Sequence, residues 1–275
     1  MFTLNCKGRL LTIDQPIVMG IINATPDSFY ESSRKNNVDA ALEQAEKMIS
    51  DGASILDIGA QSTRPGSHQV GPEEEISRLS DITEAIAKRF PETVISVDTY
   101  FSQVARAAAS MGASVINDIS GGHFDANMLT TVATLKMPYV CMHVQGDAAT
   151  MHKVPVYNNV VTDVMDYFIQ RIEQCQKAGI ADIILDPGFG FSKTPEQNFQ
   201  LIRSTSSFVA LGKPVLIGVS RKSTIYKTLG ITAEDALNGT TVLHTASLLA
   251  GAHIVRVHDV KEAMEAIRLT RYLLP

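Results

Sequence analysis

Asn23, Asp57, Asp98, Asn117, Asp118 and Asp186 each fall at or near the end of a short apolar run, and two later runs lead into Ser220-Arg221-Lys222-Ser223 and carry Arg256 and His258. One Asp or Asn after a strand is adequately explained as the cap of the next helix, but a series of them asks for more. Asp98 and Asp186 have the chemistry to read an amidine-like ring edge, because a carboxylate accepts two parallel N–H bonds from adjacent ring and exocyclic nitrogens. A guanine-like or pterin ring presents such an edge. Lys222, Arg256 and His258 suit phosphate instead. Arg256 and His258 stand two residues apart and share a face if the segment is a strand. A charge inside Ile254-Val255-Arg256-Val257 also needs a partner, whereas Arg221 reads equally well as a solvated surface charge.

The elements that must position these groups come from the hydrophobic pattern. Short β-branched runs alternate with longer amphipathic stretches along the whole chain, which predicts βα units around a parallel sheet. Strands are expected near Ile17–Asn23, Ser54–Gly59, Thr93–Asp98, Val115–Asp118, Tyr139–His143, Ile183–Asp186, Val215–Gly218 and Ile254–Val257. Eight units without a Pro- or Ser-rich linker favour a closed (β/α)8 TIM barrel, one domain over residues 1–275, above an open doubly wound sheet. Phe2–Cys6 and Leu10–Ile13, flanking Lys7-Gly8, predict an N-terminal β-hairpin within residues 1–14 that closes the barrel bottom. Leu42, Ala45, Met48 and Ile49 form one helical stripe ended at Asp51-Gly52. Pro72 opens a second helix with Ile76, Leu79, Ile82 and Ile86 inward, and Asp259 with Glu262 reads as a capping box for the last. In such a barrel the strand C-termini carry the active site and the loops after strands seven and eight often hold phosphate, where Lys222, Arg256 and His258 fall.

Composition narrows the partners. With 275 residues, 45% hydrophobic and 19% charged, the chain has ample material for one core. A net charge of -5 offers no basic field for nucleic acid or anionic lipid, so small molecules are the expected partners, with neither nucleic acid nor membrane. Cys6, Cys141 and Cys175 are odd in number and widely spaced, fitting no disulfide framework or CxxC site. Met1–Asp14 lacks a signal-peptide apolar region, and no run reaches the roughly 18 residues of a span. A cytoplasmic protein is expected. Gly188-Phe189-Gly190 lacks the third glycine of a dinucleotide fingerprint, and Ser220–Ser223 lacks the upstream glycines of a P-loop. His253 and His258 face opposite ways on a strand and cannot share a metal; His253 is expected to be structural. His123, His143 and His152 show no ligand spacing, and no serine sits in a GxSxG elbow.

The segment Met19-Gly20-Ile21-Ile22-Asn23-Ala24-Thr25-Pro26-Asp27-Ser28-Phe29 resembles the first-loop signature of the dihydropteroate synthases. Six further segments resemble that family in order: Ser62-Thr63-Arg64-Pro65-Gly66, Ser96-Val97-Asp98-Thr99, Ile116-Asn117-Asp118, Asp186-Pro187-Gly188-Phe189-Gly190-Phe191, Ser220-Arg221-Lys222-Ser223 and Arg256-Val257-His258-Asp259. The match spans residues 17–260. The resemblance implies that Asp98, Asn117, Asp186 and Lys222 hold a pterin. It gives Asn23, Thr63, Arg64, Arg256 and His258 to its pyrophosphate, with Asn23 near a Mg2+ ion. Phe29, Thr63, Pro65, Phe191 and Ser223 then form a p-aminobenzoate pocket, and Asn23, Arg64, Lys222, Arg256 and His258 carry the catalytic work. It further implies a homodimer. Two departures stand out: Tyr30-Glu31-Ser32-Ser33 replaces the family's Asp-Gly-Gly turn, and Gln61 stands where the family often has Glu. A looser likeness extends to pterin-binding methyltransferase domains, and a non-catalytic pterin-binding barrel is the third alternative.

Overall fold

In the computed structural model the described residues are 1–24, 31–61, 69–151, 153 and 156–273, apart from the side chains of residues 31–36. The first two strands, β1 (Phe2–Cys6) and β2 (Arg9–Ile13), pair antiparallel around Lys7 and Gly8, which both take positive φ. The chain then alternates as read from the sequence: β3 (Ile17–Asn23), α1 (Glu31–Asp51), β4 (Ile55–Gly59), α2 (Pro72–Arg89), β5 (Val94–Asp98), α3 (Ser102–Ser110), β6 (Val115–Asp118), α4 (Met128–Leu135), β7 (Tyr139–Met142), α5 (Val160–Ala178) and β8 (Ile183–Asp186). After β8 come α6 (Pro195–Arg203), α7 (Thr205–Val209), the two-residue β9 (Leu216–Ile217), α8 (Ser223–Leu229), α9 (Leu237–Leu249), β10 (Ile254–Val257) and α10 (Val260–Thr270). The eight central strands are all parallel, in the order β8-β7-β6-β5-β4-β3-β10-β9. A bridge between Leu185 and Val215 joins the two ends of that order, giving the (β/α)8 barrel.

Local signals start and stop these elements much as expected. Pro72 sits in the first turn of α2, followed by Glu73, Glu74 and Glu75 at the positive end of the helix, with Lys88 and Arg89 in its last turn. Asn159 caps α5 by accepting from the Val161 and Thr162 amides, and Thr194 with Gln197 forms a capping box on α6. The box expected at Asp259 and Glu262 does not form: Asp259 makes no cap to α10, because its carboxylate is taken by Arg221, as described below.

Strand alternation divides the core into two shells. Val18, Ile22, Leu56, Ile58, Ile95, Val97, Ile116, Leu185, Val255 and Val257 point outward and pack against the helices. Ile17, Met19, Ile55, Val94, Val115, Val140, Ile184, Leu216 and Ile254 point inward and form the lower layers of the barrel with Leu4, Cys6 and Ile13 of the hairpin. The hairpin thus plugs the end where the strands begin. Each fully buried Ile or Val here contributes about 1.5 to 3 kcal/mol of burial energy. His253 belongs to this end: its ring meets Phe2 edge-on at 4.9 Å and its Nδ1 accepts from the Val215 amide at 3.2 Å, the structural role expected of it.

Candidate active site at the barrel mouth

Two residues above the apolar layer, the same alternation turns polar side chains inward. On β4 and β5 the step from Ile55 and Val94 leads to Asp57 and Ser96, and one further step on β5 leads to Asp98. On β6 and β10 the step from Val115 and Ile254 leads to Asn117 and Arg256. Asp57, fully buried, is the hub. Its carboxylate accepts from Ser96 Oγ at 2.6 Å, Asn117 Nδ2 at 2.9 Å and Arg256 Nε at 2.6 Å. Arg256 also donates from Nη2 to Asp98 at 2.8 Å, so one guanidinium spans two carboxylates. This supplies the partner that a charge inside an apolar strand requires. Its Nη1 makes no hydrogen bond to a described residue. Burial, opposed by Arg256 and reinforced by Asp57, Glu75 and Asp118, raises the Asp98 carboxyl to about 7.

The opposite wall is built by the turn after β8 and the loop after β9. Asp186 ends β8 inside the barrel and accepts from the Gly188 amide at 2.7 Å. Burial raises its carboxyl, against the pull of Lys222 and that amide. The Lys222 ammonium donates to Phe189 O and stands 4.6 Å from the centroid of the Phe191 ring, a cation–π distance. Burial brings this lysine down to about 8, with Asp186 working the other way. Gly190, at φ +85, lets the Lys222 stem pass: a Cβ there would lie 3.0 Å from Lys222 Cδ. Ser223 opens α8 directly beside it. His258 is exposed just past β10, and its Nδ1 pairs with Ser220 Oγ at 3.0 Å, the same hydroxyl that accepts from the His258 amide at 3.2 Å.

The structure therefore brings together Asp98, Asn117, Asp186, Lys222, Phe191 and Arg256 around one barrel mouth, with Asn23, Ser223 and His258 on its rim. Phe29, Thr63, Arg64 and Pro65, and the Tyr30 departure, lie outside the described residues. Asp118 faces outward and serves its own loop, accepting from the Ser120 and Gly122 amides and from Tyr139 Oη. Arg221 is no free surface charge. It takes φ +52, grips Asp259 with Nε and Nη2 at 2.8 and 2.9 Å, and donates to Ala233 O at 3.0 Å. That grip removes Asp259 from the helix cap.

The sequence reading placed Asp57 near a strand end without giving it a role, and gave Ser96 none either. Asp57 carried a usable signal, since an acid inside Ile55-Leu56-Asp57-Ile58 needs a partner as much as Arg256 does. Ser96 carried none, being a small polar residue in a strand. The Gln61 departure has a physical account. Its amide donates to Glu75 at 2.7 Å and to Val70 O at 2.8 Å while accepting from the Val70 amide at 3.2 Å. A glutamate at 61 could not donate to either, and would set two carboxylates against each other.

The family of pterin-binding enzymes matches residues 19–258 of this chain. The dihydropteroate synthase of Escherichia coli K12 is 42% identical over 270 residues, covering 98% of this chain and 95% of the relative. Among solved structures, the Yersinia pestis dihydropteroate synthase in a sulfonamide drug complex superposes with a TM-score of 0.91 at 39% identity, covering 99% and 98% of the two chains. The Xanthomonas albilineans dihydropteroate synthase in complex with 7,8-dihydropteroate gives 0.86 at 34% identity, covering 98% of each.

Proposed function

The chain belongs to the dihydropteroate synthase family, transferases that join 6-hydroxymethyl-7,8-dihydropterin pyrophosphate to p-aminobenzoate in folate synthesis, and from that premise we propose how its barrel mouth performs the reaction. The observation that carries the assignment of roles is the placing of two carboxylates, the part-buried Asp98 and the buried Asp186, inside the mouth at the ends of β5 and β8. Each accepts one hydrogen bond from the protein and keeps acceptor capacity for the amino-pyrimidine edge of the pterin, with Asn117 and Lys222 completing that site. Phe191 and Ser223, with Phe29, Thr63 and Pro65, form the p-aminobenzoate pocket.

In the reaction the arylamine nitrogen attacks the pterin methylene carbon. The C–O bond to pyrophosphate breaks with its electron pair going to the leaving oxygen, and the amine then loses a proton. No enzyme nucleophile is needed. Asn23, Thr63, Arg64, Arg256 and His258 meet the pyrophosphate. Arg256 suits this because Asp57 and Asp98 fix its orientation while Nη1 remains for substrate. A preorganised donor of this kind typically contributes about 2.7 to 4 kcal/mol to a transition state that develops negative charge.

The donor set fits Mg2+ better than a protein-caged ion. Among the described residues no three His, Cys, Asp or Glu side chains are arranged to hold a metal ion, and the mouth carboxylates are engaged by Arg256, Ser96, Asn117 and the Gly188 amide. Asn23 offers one neutral amide oxygen at the rim, as expected for an ion held mainly by water and substrate phosphates. Bound there with the pyrophosphate, Mg2+ supplies positive charge to the leaving group.

A homodimer is supported by exposed Leu229, Val242 and Leu249 on α8 and α9 and exposed Leu269 on α10, while Leu248 and Ile267 of the same helices face the core. Cytoplasmic residence is supported by three buried cysteines without disulfides. Among the described residues no helix is long and apolar enough to cross a membrane. The deciding experiment is a coupled assay of pyrophosphate release from the purified protein with both substrates and Mg2+. Release that requires p-aminobenzoate supports the reading. Pterin binding without release would favour a non-catalytic barrel, and methyl transfer from a methylated folate would favour the methyltransferase alternative.

A further inference from the structure

Lys193, in the turn between β8 and α6, has no part in the roles assigned above, yet its amine meets four acceptors, and burial brings it down to about 7, with Asp186 working the other way. Nζ lies 3.0 Å from His143 Nδ1, 3.0 Å from Phe191 O, 3.1 Å from Gly188 O and 3.4 Å from His143 O. Two of these acceptors belong to the turn itself, which Phe191 N–H closes onto Gly188 O at 3.1 Å. The other two belong to the residue that follows β7. One ammonium therefore fastens the turn to the neighbouring strand end. The approach is tight: Gly188 takes φ +71, and a Cβ there would fall 2.0 Å from His143 O. Ser192, immediately before the lysine, takes φ +41, a left-handed conformation disfavoured in any residue but glycine, while its hydroxyl accepts from the Gln145 amide at 2.8 Å.

That same turn makes the contacts on which one wall of the site depends. It presents the Gly188 amide to Asp186, the Phe189 carbonyl to Lys222 and the Phe191 ring beneath the Lys222 ammonium. Its far side is held separately, because Asn198 accepts from the Gly190 amide at 2.7 Å and donates to Thr224 of α8 at 3.2 Å. We propose that Lys193 is a positioning residue for the p-aminobenzoate side of the site, setting the β8–α6 turn so that Phe191 and the Phe189 carbonyl meet Lys222. The inference rests on the assignment of Phe191 and Lys222 to substrate. For His143 Nδ1 to accept from Lys193, its ring is neutral with the proton on Nε2. Burial, and next the charge of Lys193, hold this imidazole well below its ordinary range. Asp186 keeps its backbone place in β8 and has only the Gly188 amide to lose when the turn shifts, whereas the Phe191 carbonyl is itself a ligand of the amine. Loss of the amine thus falls on p-aminobenzoate before it falls on the pterin.

The test measures, on the full chain, the KM for p-aminobenzoate and the Kd for the unphosphorylated pterin alcohol. Lys193→Met leaves buried acceptors unpaired, and is expected to raise KM by about tenfold or more while Kd moves by less than about threefold. Lys193→Ala should behave alike, and propylammonium, which matches the deleted Cγ–Nζ segment, should restore KM where tetramethylammonium does not. Should both lysine variants fail to fold, His143→Leu removes one ligand of the amine and is expected to shift KM in the same direction, with His143→Asn, which keeps an acceptor near Nδ1, closer to wild type. A lower Tm with KM unmoved, or no rescue, overturns the inference. Failure of the wild-type protein to bind the pterin overturns instead the assignment on which it rests.

Discussion

The two ends of the barrel interior are built on the same eight strands, two residues apart along each, and they do opposite things. At the lower end Ile55, Val94, Val115 and Ile254 close over the hairpin residues Leu4, Cys6 and Ile13, with no charged side chain in the cluster. At the upper end Asp57, Ser96, Asn117 and Arg256 occupy the next inward positions and are joined by hydrogen bonds of 2.6 to 2.9 Å. The lower end gains from leaving water. The upper end loses by it and recovers only through mutual pairing, so Asp98 is left with its proton affinity raised. Within the barrel interior, apolar burial is therefore gathered where the strands begin, and reactive groups where they end.

That division can be broken from either side. The largest effect is expected from Ile55→Ala, a cavity in the lower layer: it should cost about 2 to 5 kcal/mol of stability in denaturant titration, with the Kd for the pterin unchanged. A weakened pterin Kd without lost stability would show the two ends to be coupled. Next comes Arg256→Gln, which should lower turnover by about a hundred- to a thousandfold and leave the affinity for the pterin alcohol less affected. Because glutamine strips the buried Asp57 of its cation, denaturant titration should also show a loss of stability. Equal losses in turnover and pterin-alcohol affinity would assign Arg256 to the ring or the fold instead of the leaving group.

Asp186→Ala is expected to weaken pterin binding by about ten- to a hundredfold, the worth of a charge-assisted hydrogen bond, with little change in Tm. Isothermal titration and thermal unfolding on one preparation compare the two. The smallest effect concerns pH. In the fold the Asp98 carboxyl stands at about 7 against an ordinary 3.8, so between those values the native state holds more protons than the unfolded chain. Stability contributed at this site therefore falls as pH rises from about 4 to 7. Asp98→Asn removes that slope. Its Tm should exceed wild type at pH 8, and the difference should shrink towards pH 4; a constant difference would contradict the assignment.

The sequence made the barrel legible because its signals are local. The run Ile17–Asn23 is strand β3 to the residue, Pro72 opens α2, and Asp98, the pair Asn117-Asp118 and Asp186 end strands as their positions implied. Where partners are distant the signal stopped. Arg256 announced that it needed a counter-charge, but Asp57 and Asp98 lie 199 and 158 residues away. The Asp259 cap failed for the same reason, since Arg221, 38 residues upstream, competes for that carboxylate and wins with two hydrogen bonds. Lys193 had no pattern to betray it, because its four acceptors are three backbone oxygens and a ring nitrogen.

By itself, then, the sequence determined the number and order of the βα units, the hairpin plug and the strand ends at which functional groups stand. These follow from periodicity and from turn chemistry over a few residues. Only the tertiary structure decided which groups pair: Arg256 across Asp57 and Asp98, Lys222 against Phe189 and Phe191, Lys193 between two strand ends, Gln61 between Val70 and Glu75. Pairing in a low-dielectric interior depends on distances between residues far apart in the chain. Those distances exist only once the eight strands have closed.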